Sequence, residues 1–228
     1  MADNLKDGTL ISFEGIEGCG KSTQIVMLAE RLRELGLEVV ISREPGATPL
    51  GQELRKLLLD PAYNPDALTE LLLYLADRRE HCSRVIRPAR ARGALVLLDR
   101  FIDSTWVYQG FAASAAAIDD TRDAVSVEMI ETLNRQVVGS DWPQLTFLLD
   151  CSAKVGLERA RRRNLETGAV GVADRFEQRH IDFHKQVRAG FLRLAEMEKE
   201  RFRVINAQQE INDIHDCIWR EISGRILG

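Results

Sequence analysis

The chain has 228 residues, 45% of them hydrophobic, and a formal net charge of −4 from 31 basic and 35 acidic side chains. That length buries a full core without staples, so a single domain over residues 1–228 is expected. The mildly acidic balance supplies no global field toward nucleic acid or anionic lipid, which excludes both as partners and leaves any phosphate ligand to local clusters of basic residues.

Short β-branched or leucine-rich runs alternate with long helical patterns, as parallel strands joined by crossover helices require. The first strand is Leu10–Phe13. Directly after it comes Gly15-Ile16-Glu17-Gly18-Cys19-Gly20-Lys21-Ser22, a complete Gly-x-x-x-x-Gly-Lys-Ser phosphate loop leading into an amphipathic stretch from Lys21. Its glycines turn backbone N–H groups toward phosphate oxygens, and the following helix presents its positive dipole end. Lys21 reaches the β and γ phosphates of a nucleotide, and the Ser22 hydroxyl holds Mg²⁺.

The first helix carries Ile25, Leu28, Leu32 and Leu35 at three- and four-residue spacing, read as core, and ends at Gly36. The second strand, Val39–Ser42, leads to Arg43-Glu44-Pro45-Gly46, where a rigid turn holds a guanidinium in one direction. Pro65-Asp66 opens the third helix, whose core stripe is Leu68, Leu71, Leu72 and Leu75, and Gly93 closes it. The third strand, Leu95–Leu98, ends on Asp99-Arg100. The carboxylate at that tip, beside the phosphate loop, orients Mg²⁺ or its waters, and the arginine spans two phosphates.

The fourth and fifth strands are Leu145–Leu149 and Phe202–Ile205. Between them Arg159, Arg161, Arg162 and Arg163 lead into Asn164–Ala173, read as a mobile lid with Arg175 on its far side. Arg159 and Arg163 share one helical face, so both swing over a bound triphosphate when the lid closes. The expected fold is therefore α/β: a three-layer arrangement with a five-stranded parallel sheet and a lid spanning about 159–177.

Cys19, Cys82, Cys151 and Cys217 lack Cys-x-x-Cys spacing, which argues against a zinc site or disulfide framework and for a reducing compartment. The N-terminus has no apolar signal core and no apolar run approaches the ~18 residues of a membrane span, so a cytoplasmic protein is expected. No Ser-His-Asp set or His-Glu-x-x-His motif occurs. A site rich in arginine and poor in general bases suits a phosphate acceptor, which is already largely ionised at neutral pH.

Phe13–Thr23, Arg43-Glu44-Pro45-Gly46, Asp99-Arg100-Phe101-Ile102-Asp103-Ser104 and Tyr108-Gln109-Gly110 together resemble the bacterial thymidylate kinase family, over nearly the whole chain. The resemblance implies a P-loop nucleoside monophosphate kinase fold, a homodimer, and transfer of the γ-phosphoryl group of ATP to dTMP with Mg²⁺. It also implies roles. Gly15 to Thr23 would hold ATP, with Ser22 and Asp99 at the metal. Glu17 would accept the 3′-OH of the deoxyribose, and Arg43 and Arg100 would grip the acceptor phosphate. Tyr74 would stack on thymine, Arg78 and Gln109 would hydrogen-bond the base, and Tyr108 would leave no room for a 2′-OH. Ser104 and Thr105 would complete the dTMP pocket. Lys21, Arg43, Arg100, Arg159 and Arg163 form the implied catalytic set, the lid arginines supplying a charge that some relatives carry inside the loop.

The chain departs from the family pattern at Ala47, Tyr74 and Ala113-Ser114, and in a longer lid; these bear on acceptor preference and turnover. Cys19 in the loop is expected to be thiol-sensitive and protected by ATP, through a pKa lowered by the helix N-terminus. Two other readings stay open. One is a related kinase with another acceptor, such as a deoxynucleoside or dUMP; the other is a nucleotide-dependent switch or binding module, against which the chain lacks an Asn-Lys-x-Asp guanine motif.

Overall fold

The computed structural model describes residues 8–113, 125–166 and 175–226. Five parallel strands, β1 (Leu10–Glu14), β2 (Val39–Arg43), β3 (Leu95–Asp99), β4 (Leu145–Asp150) and β5 (Phe202–Asn206), pair in the order β2-β3-β1-β4-β5. The three inner strands are buried almost throughout, which is why they read as near-continuous apolar runs, broken only by Ser12 and Thr146, whose hydroxyls bond each other at 2.8 Å; the edge strands β2 and β5 are partly exposed. Every strand extends one residue beyond its expected end, and the added residue is polar: Glu14, Arg43, Asp99, Asp150 or Asn206. The sheet therefore delivers a row of functional groups to its carboxyl edge.

The helices are α1 (Lys21–Glu34), α2 (Pro49–Leu59), α3 (Ala67–His81), α4 (Arg87–Ala91), α5 (Ile102–Thr105), α6 (Val127–Val138), α7 (Ala153–Glu166), α8 (Ile181–Met197) and α9 (Ile211–Ile226). Wider π-type turns at Cys82–Ile86 and Trp106–Ala112 continue α3 into α4 and extend α5. Thr48 and Asp66 cap α2 and α3 by accepting from the backbone N–H groups of Gly51 and Thr69. One core cluster joins β1 and β4 to α1, α8 and α9 through Phe13, Leu28, Phe147, Phe191 and Ile218. A second cluster holds Leu10, Ile86, Val96, Leu98 and Phe101, and the two clusters give the three layers.

Two sequence expectations need correction. Leu35, Leu68 and Leu72 are exposed (48%, 40% and 52%), whereas Ile25, Leu28, Leu32, Leu71 and Leu75 are buried as expected. Leu35 lies beyond the last turn of α1, and the inward side of α3 is taken by Leu71, Leu75 and the buried polar set Asp77, Arg78 and His81. Helix α7 runs to Glu166, so Asn164–Glu166 at the start of the expected lid are helical; positions 167–174 fall outside the described residues. Among the described residues no helix is long and apolar enough to cross a membrane.

Candidate active site

The strand order reverses at β1, and the crevice beyond its carboxyl end holds the phosphate loop. The loop lies hard against the chain beneath it: a Cβ on Gly15 (φ 135°) would come 2.5 Å from the Leu149 carbonyl oxygen, and one on Gly18 (φ 70°) 2.0 Å from that of Gly156. Gly20 begins α1 without a side-chain cap, and the first turn carries no acid. Its leading N–H groups are therefore left for an anion. Lys21 Nζ donates to the carbonyls of Gly15 (3.1 Å) and Ile16 (3.0 Å). Ser22 Oγ donates to Asp99 Oδ2 at 2.6 Å, which brings a hydroxyl and a carboxylate together beside the loop. These hard oxygen donors fit Mg²⁺, which keeps waters and phosphate oxygens and needs no protein cage. No group of three or more His, Cys, Asp or Glu side chains suited to a metal occurs among the described residues.

A cavity of about 520 Å³ joins this end to an arginine-rich cluster. At its centre Glu17 Oε1 accepts from Arg100 Nη2 (2.9 Å) and the Tyr108 hydroxyl (2.7 Å), while Arg100 Nη1 donates to Ser104 Oγ (3.1 Å). Burial by itself would raise the Glu17 pKa, but Arg100, the adjacent His184, Lys21 and the Tyr108 hydroxyl outweigh it and hold the carboxyl well below its usual range. Burial pushes the Tyr108 phenol well above its usual pKa against the pull of Arg100, and the Glu17 charge adds to the rise. The phenol thus remains a neutral donor. Among the described residues Arg100 alone, glycines aside, has positive φ (69°). A left-handed arginine costs on the order of 1–3 kcal/mol and persists where its surroundings over-determine it. Here the backbone N–H of Arg100 donates to the Phe13 carbonyl (3.0 Å) and the side chain is fastened at both ends.

Behind this cluster Glu14 is fully buried, accepting from the Phe101 N–H (2.8 Å) and the Ser104 hydroxyl (2.6 Å). Burial, aided by the neighbouring Asp103, pushes its pKa up from 4.5 to about 8. Between those values the folded state holds a proton that the unfolded chain has lost, so stability falls as pH rises through the window. Asp77, pushed up to about 6 by burial and by Glu44, acts with the same sign but only at lower pH. The urea midpoint is expected to fall between about pH 6 and 8, and Glu14→Gln to flatten that slope. An equally steep slope in the variant would place the titration on another group.

The model of the thymidylate kinase family matches residues 13–218. The chain belongs to this family. It is 42% identical over 220 residues to the thymidylate kinase of Halothermothrix orenii, covering 96% of this chain and 99% of that one. It is 45% identical over 205 residues to the enzyme of Geobacter sulfurreducens, covering 90% and 91%. The crystal structure of thymidylate kinase from Ehrlichia chaffeensis superposes with a TM-score of 0.70 at 33% identity, over 94% of this chain and 97% of that one.

Most of the residues singled out from the sequence meet in this thymidylate kinase family cavity. Glu17, Gly18, Gly20, Lys21, Ser22, Thr23, Arg43, Tyr74, Arg78, Asp99 and Arg100 line it, with Ser104, Thr105, Tyr108, Gln109, Arg159 and Arg163. Tyr74 is partly exposed at the wall and is not a core aromatic. Gly15, Ile16 and Cys19 do not line the cavity, so the side chains of Ile16 and Cys19 belong to the core beneath it. For Cys19 this is a correction. The thiol is 1% exposed, with Lys21 Nζ at 3.5 Å, and burial withholds it from reagents; the expected thiol sensitivity loses its basis. Arg78 is also 1% exposed, donating to Glu44 (2.8 Å), Asn134 (2.7 Å) and the Phe101 carbonyl (3.2 Å). It is first a strut, and only the N–H groups left over from those bonds remain for a base. Arg159 donates to the Ala207 carbonyl (2.8 Å), Arg163 pairs with Glu177 (2.7 Å), and Arg175 pairs with Glu70.

Several residues around the cavity gave no sequence signal. Arg201 grips Asp103 through two bonds (2.7 and 2.8 Å) across 98 residues, and His81 Nδ1 lies 2.8 Å from Glu44 across 37. No spacing rule reaches that far. Glu14 was the exception: a carboxylate ending a buried, mostly apolar run is a marked group, and it sits in the family motif.

Proposed function

We propose that this protein is a thymidylate kinase that transfers the γ-phosphoryl group of ATP to dTMP, giving dTDP and ADP for dTTP synthesis. The observation that carries this reading is one cavity shared by a phosphate loop, the Ser22–Asp99 pair and the Glu17–Arg100–Tyr108 cluster. Lys21 and the first N–H groups of α1 orient the donor phosphates. Ser22 and Asp99 would hold Mg²⁺, which would offset the charge gathering on the transferred group. Arg43 and Arg100 grip the acceptor phosphate. Glu17 accepts the 3′-OH, Tyr74 stacks on thymine, and Gln109 with the spare N–H groups of Arg78 bonds the base edge. Tyr108, fixed by Glu17, excludes a 2′-OH, and Ser104 and Thr105 close the pocket. Arg159 and Arg163 leave Ala207 and Glu177 for the phosphates when the lid closes.

This set needs no general base, since the acceptor oxygen is already charged; the rate comes from alignment and charge neutralisation. The chain acts as one domain in the cytoplasm, as a homodimer. The exposed Leu50, Leu57, Leu68 and Leu72 on the adjoining helices α2 and α3 support that assembly. The test is a coupled ADP-release assay with ATP and Mg²⁺ against dTMP, dUMP, UMP, dCMP, AMP, GMP and thymidine at equal concentration. Turnover is expected to concentrate on dTMP, to vanish on chelation and to return with Mg²⁺. Turnover on another acceptor would discard the thymine pocket, and none at all would favour a nucleotide switch.

A further inference from the structure

Gln109 is 5% exposed, yet it lines the cavity, and its amide is held by a residue outside the family motifs. Its Nε2 donates to Glu70 Oε1 at 2.7 Å, and Glu70 Oε2 in turn accepts from Arg175 Nη2. Glu70 lies in the first turn of α3, its side chain 15% exposed. An amide can rotate by half a turn at little intrinsic cost, and its two ends offer opposite hydrogen-bonding character. A carboxylate ion-paired with an arginine, as Glu70 is with Arg175, only accepts, so the reversed amide would set oxygen against oxygen. The pair therefore permits one orientation, in which Nε2 is spent on Glu70 and Oε1 is the free acceptor; Oε1 has no hydrogen-bond donor among the described residues.

We infer that Glu70 sets the polarity of Gln109, so that a bound base meets a carbonyl oxygen and a pyrimidine with an N3–H donor is selected over one whose N3 accepts. Thymine and uracil are of the first kind and cytosine of the second. The inference rests on the reading that Gln109 faces the base, and it adds what decides the sign of that contact. Glu70 touches no substrate and acts through Gln109, so it is a positioning residue. Arg175 completes the device: it occupies the second carboxylate oxygen, and its backbone N–H donates to the Leu59 carbonyl (3.1 Å), anchoring it against the end of α2. The 5-methyl group plays no part, so thymine and uracil should respond alike.

The experiment measures kcat/KM for dTMP, dUMP and dCMP in the full-length protein and in Glu70→Gln, Glu70→Asp and Gln109→Leu. Equilibrium binding of the same nucleotides supplies the ratios where turnover is too slow. A Gln at position 70 offers either polarity, which frees the Gln109 amide to turn. The dTMP to dCMP ratio is expected to fall about tenfold to a hundredfold in Glu70→Gln, the range of a reversed donor and acceptor pair. dUMP should follow dTMP, and Glu70→Asp, still only an acceptor, should keep most of the ratio. Glu70→Ala, which leaves the amide no carboxylate, is read the same way and serves if Glu70→Gln does not fold. Equal losses on dTMP and dCMP in these variants would overturn the inference and leave Glu70 as a brace for α3 and Arg175. If Gln109→Leu changes neither the ratio nor the KM for dTMP, the placing of Gln109 at the base fails first, and the inference falls with it.

Discussion

Arg100→Met is expected to lower kcat/KM for dTMP about a thousandfold, with the KM for ATP little changed. Arg100 supplies a charged fork where the acceptor phosphate would sit, already aimed by Glu17 at 2.9 Å and Ser104 at 3.1 Å. Removing one such preorganised donor typically costs about 10²–10³ in turnover, and here a full charge leaves with it. Methionine keeps most of the length and the apolar stem and loses only the guanidinium, which lies over the Tyr108 ring, so packing is largely spared. Two further variants separate chemistry from backbone strain. Arg100→Gly suits the φ of 69° and should be as inactive while unfolding at higher urea than Arg100→Ala. Arg100→Lys should recover only part of the rate, because a compact ammonium cannot span two partners and a phosphate together. Steady-state kinetics with dTMP varied at saturating ATP checks all three, and near-normal turnover in Arg100→Met would refute the role.

Arg201→Met is expected to destabilise the fold by about 3–5 kcal/mol near neutral pH, as breaking one side of a buried ion pair does. Asp103 is 3% exposed and receives both of its charge-assisted bonds from Arg201, which also donates to Thr146 (2.7 Å). Without the guanidinium a carboxylate would stand unpaired next to Glu14, itself already pushed up to about 8 by burial and by Asp103. Asp103→Asn combined with Arg201→Met should recover much of the loss, since neither partner then carries a buried charge. Urea unfolding of the two single variants and the double gives the coupling. A loss below about 1 kcal/mol in Arg201→Met, the worth of a surface pair, would show that the pair stabilises little. Asp103 adjoins Ser104 and Thr105 on α5, so the stable double variant also reports, through its KM for dTMP, how far this brace positions the pocket.

The phosphate loop, the five strands, their parallel connection and the identity of most cavity residues were legible in the sequence by itself. The loop and the strands depend on local physics, whereas Tyr74, Arg78, Ser104, Thr105, Tyr108 and Gln109 were placed at the site by the family resemblance. A buried strand must be largely apolar on both faces, a helix entered through Gly20 must leave its first N–H groups open, and Lys21 and Ser22 follow from the loop at fixed offsets. The sequence pattern also overreached: leucine spacing on α3 called for a core stripe that includes Leu68 and Leu72, and both are exposed. A helical stripe tells which residues share a side, but not how wide a neighbour lies across from it. Cys19 was misread for a related reason, since its place in the loop says nothing about which way the thiol faces, and it faces the core.

Only the tertiary structure decided the partners. Arg78 reads as a base ligand in the motif, yet in the fold it braces Glu44, Asn134 and the Phe101 carbonyl. The lid arginines read as phosphate ligands and are found on Ala207 and Glu177. Asp103, Arg201 and Glu70 became functional candidates only when residues 39 to 98 positions apart came together. Charge pairing and burial are properties of three-dimensional neighbourhoods, and a buried carboxylate takes its protonation from whatever surrounds it. The residue types and their offsets therefore specify the reaction class, while the orientation of each group, and with it the preference for one acceptor over another, is set by contacts that no local spacing encodes.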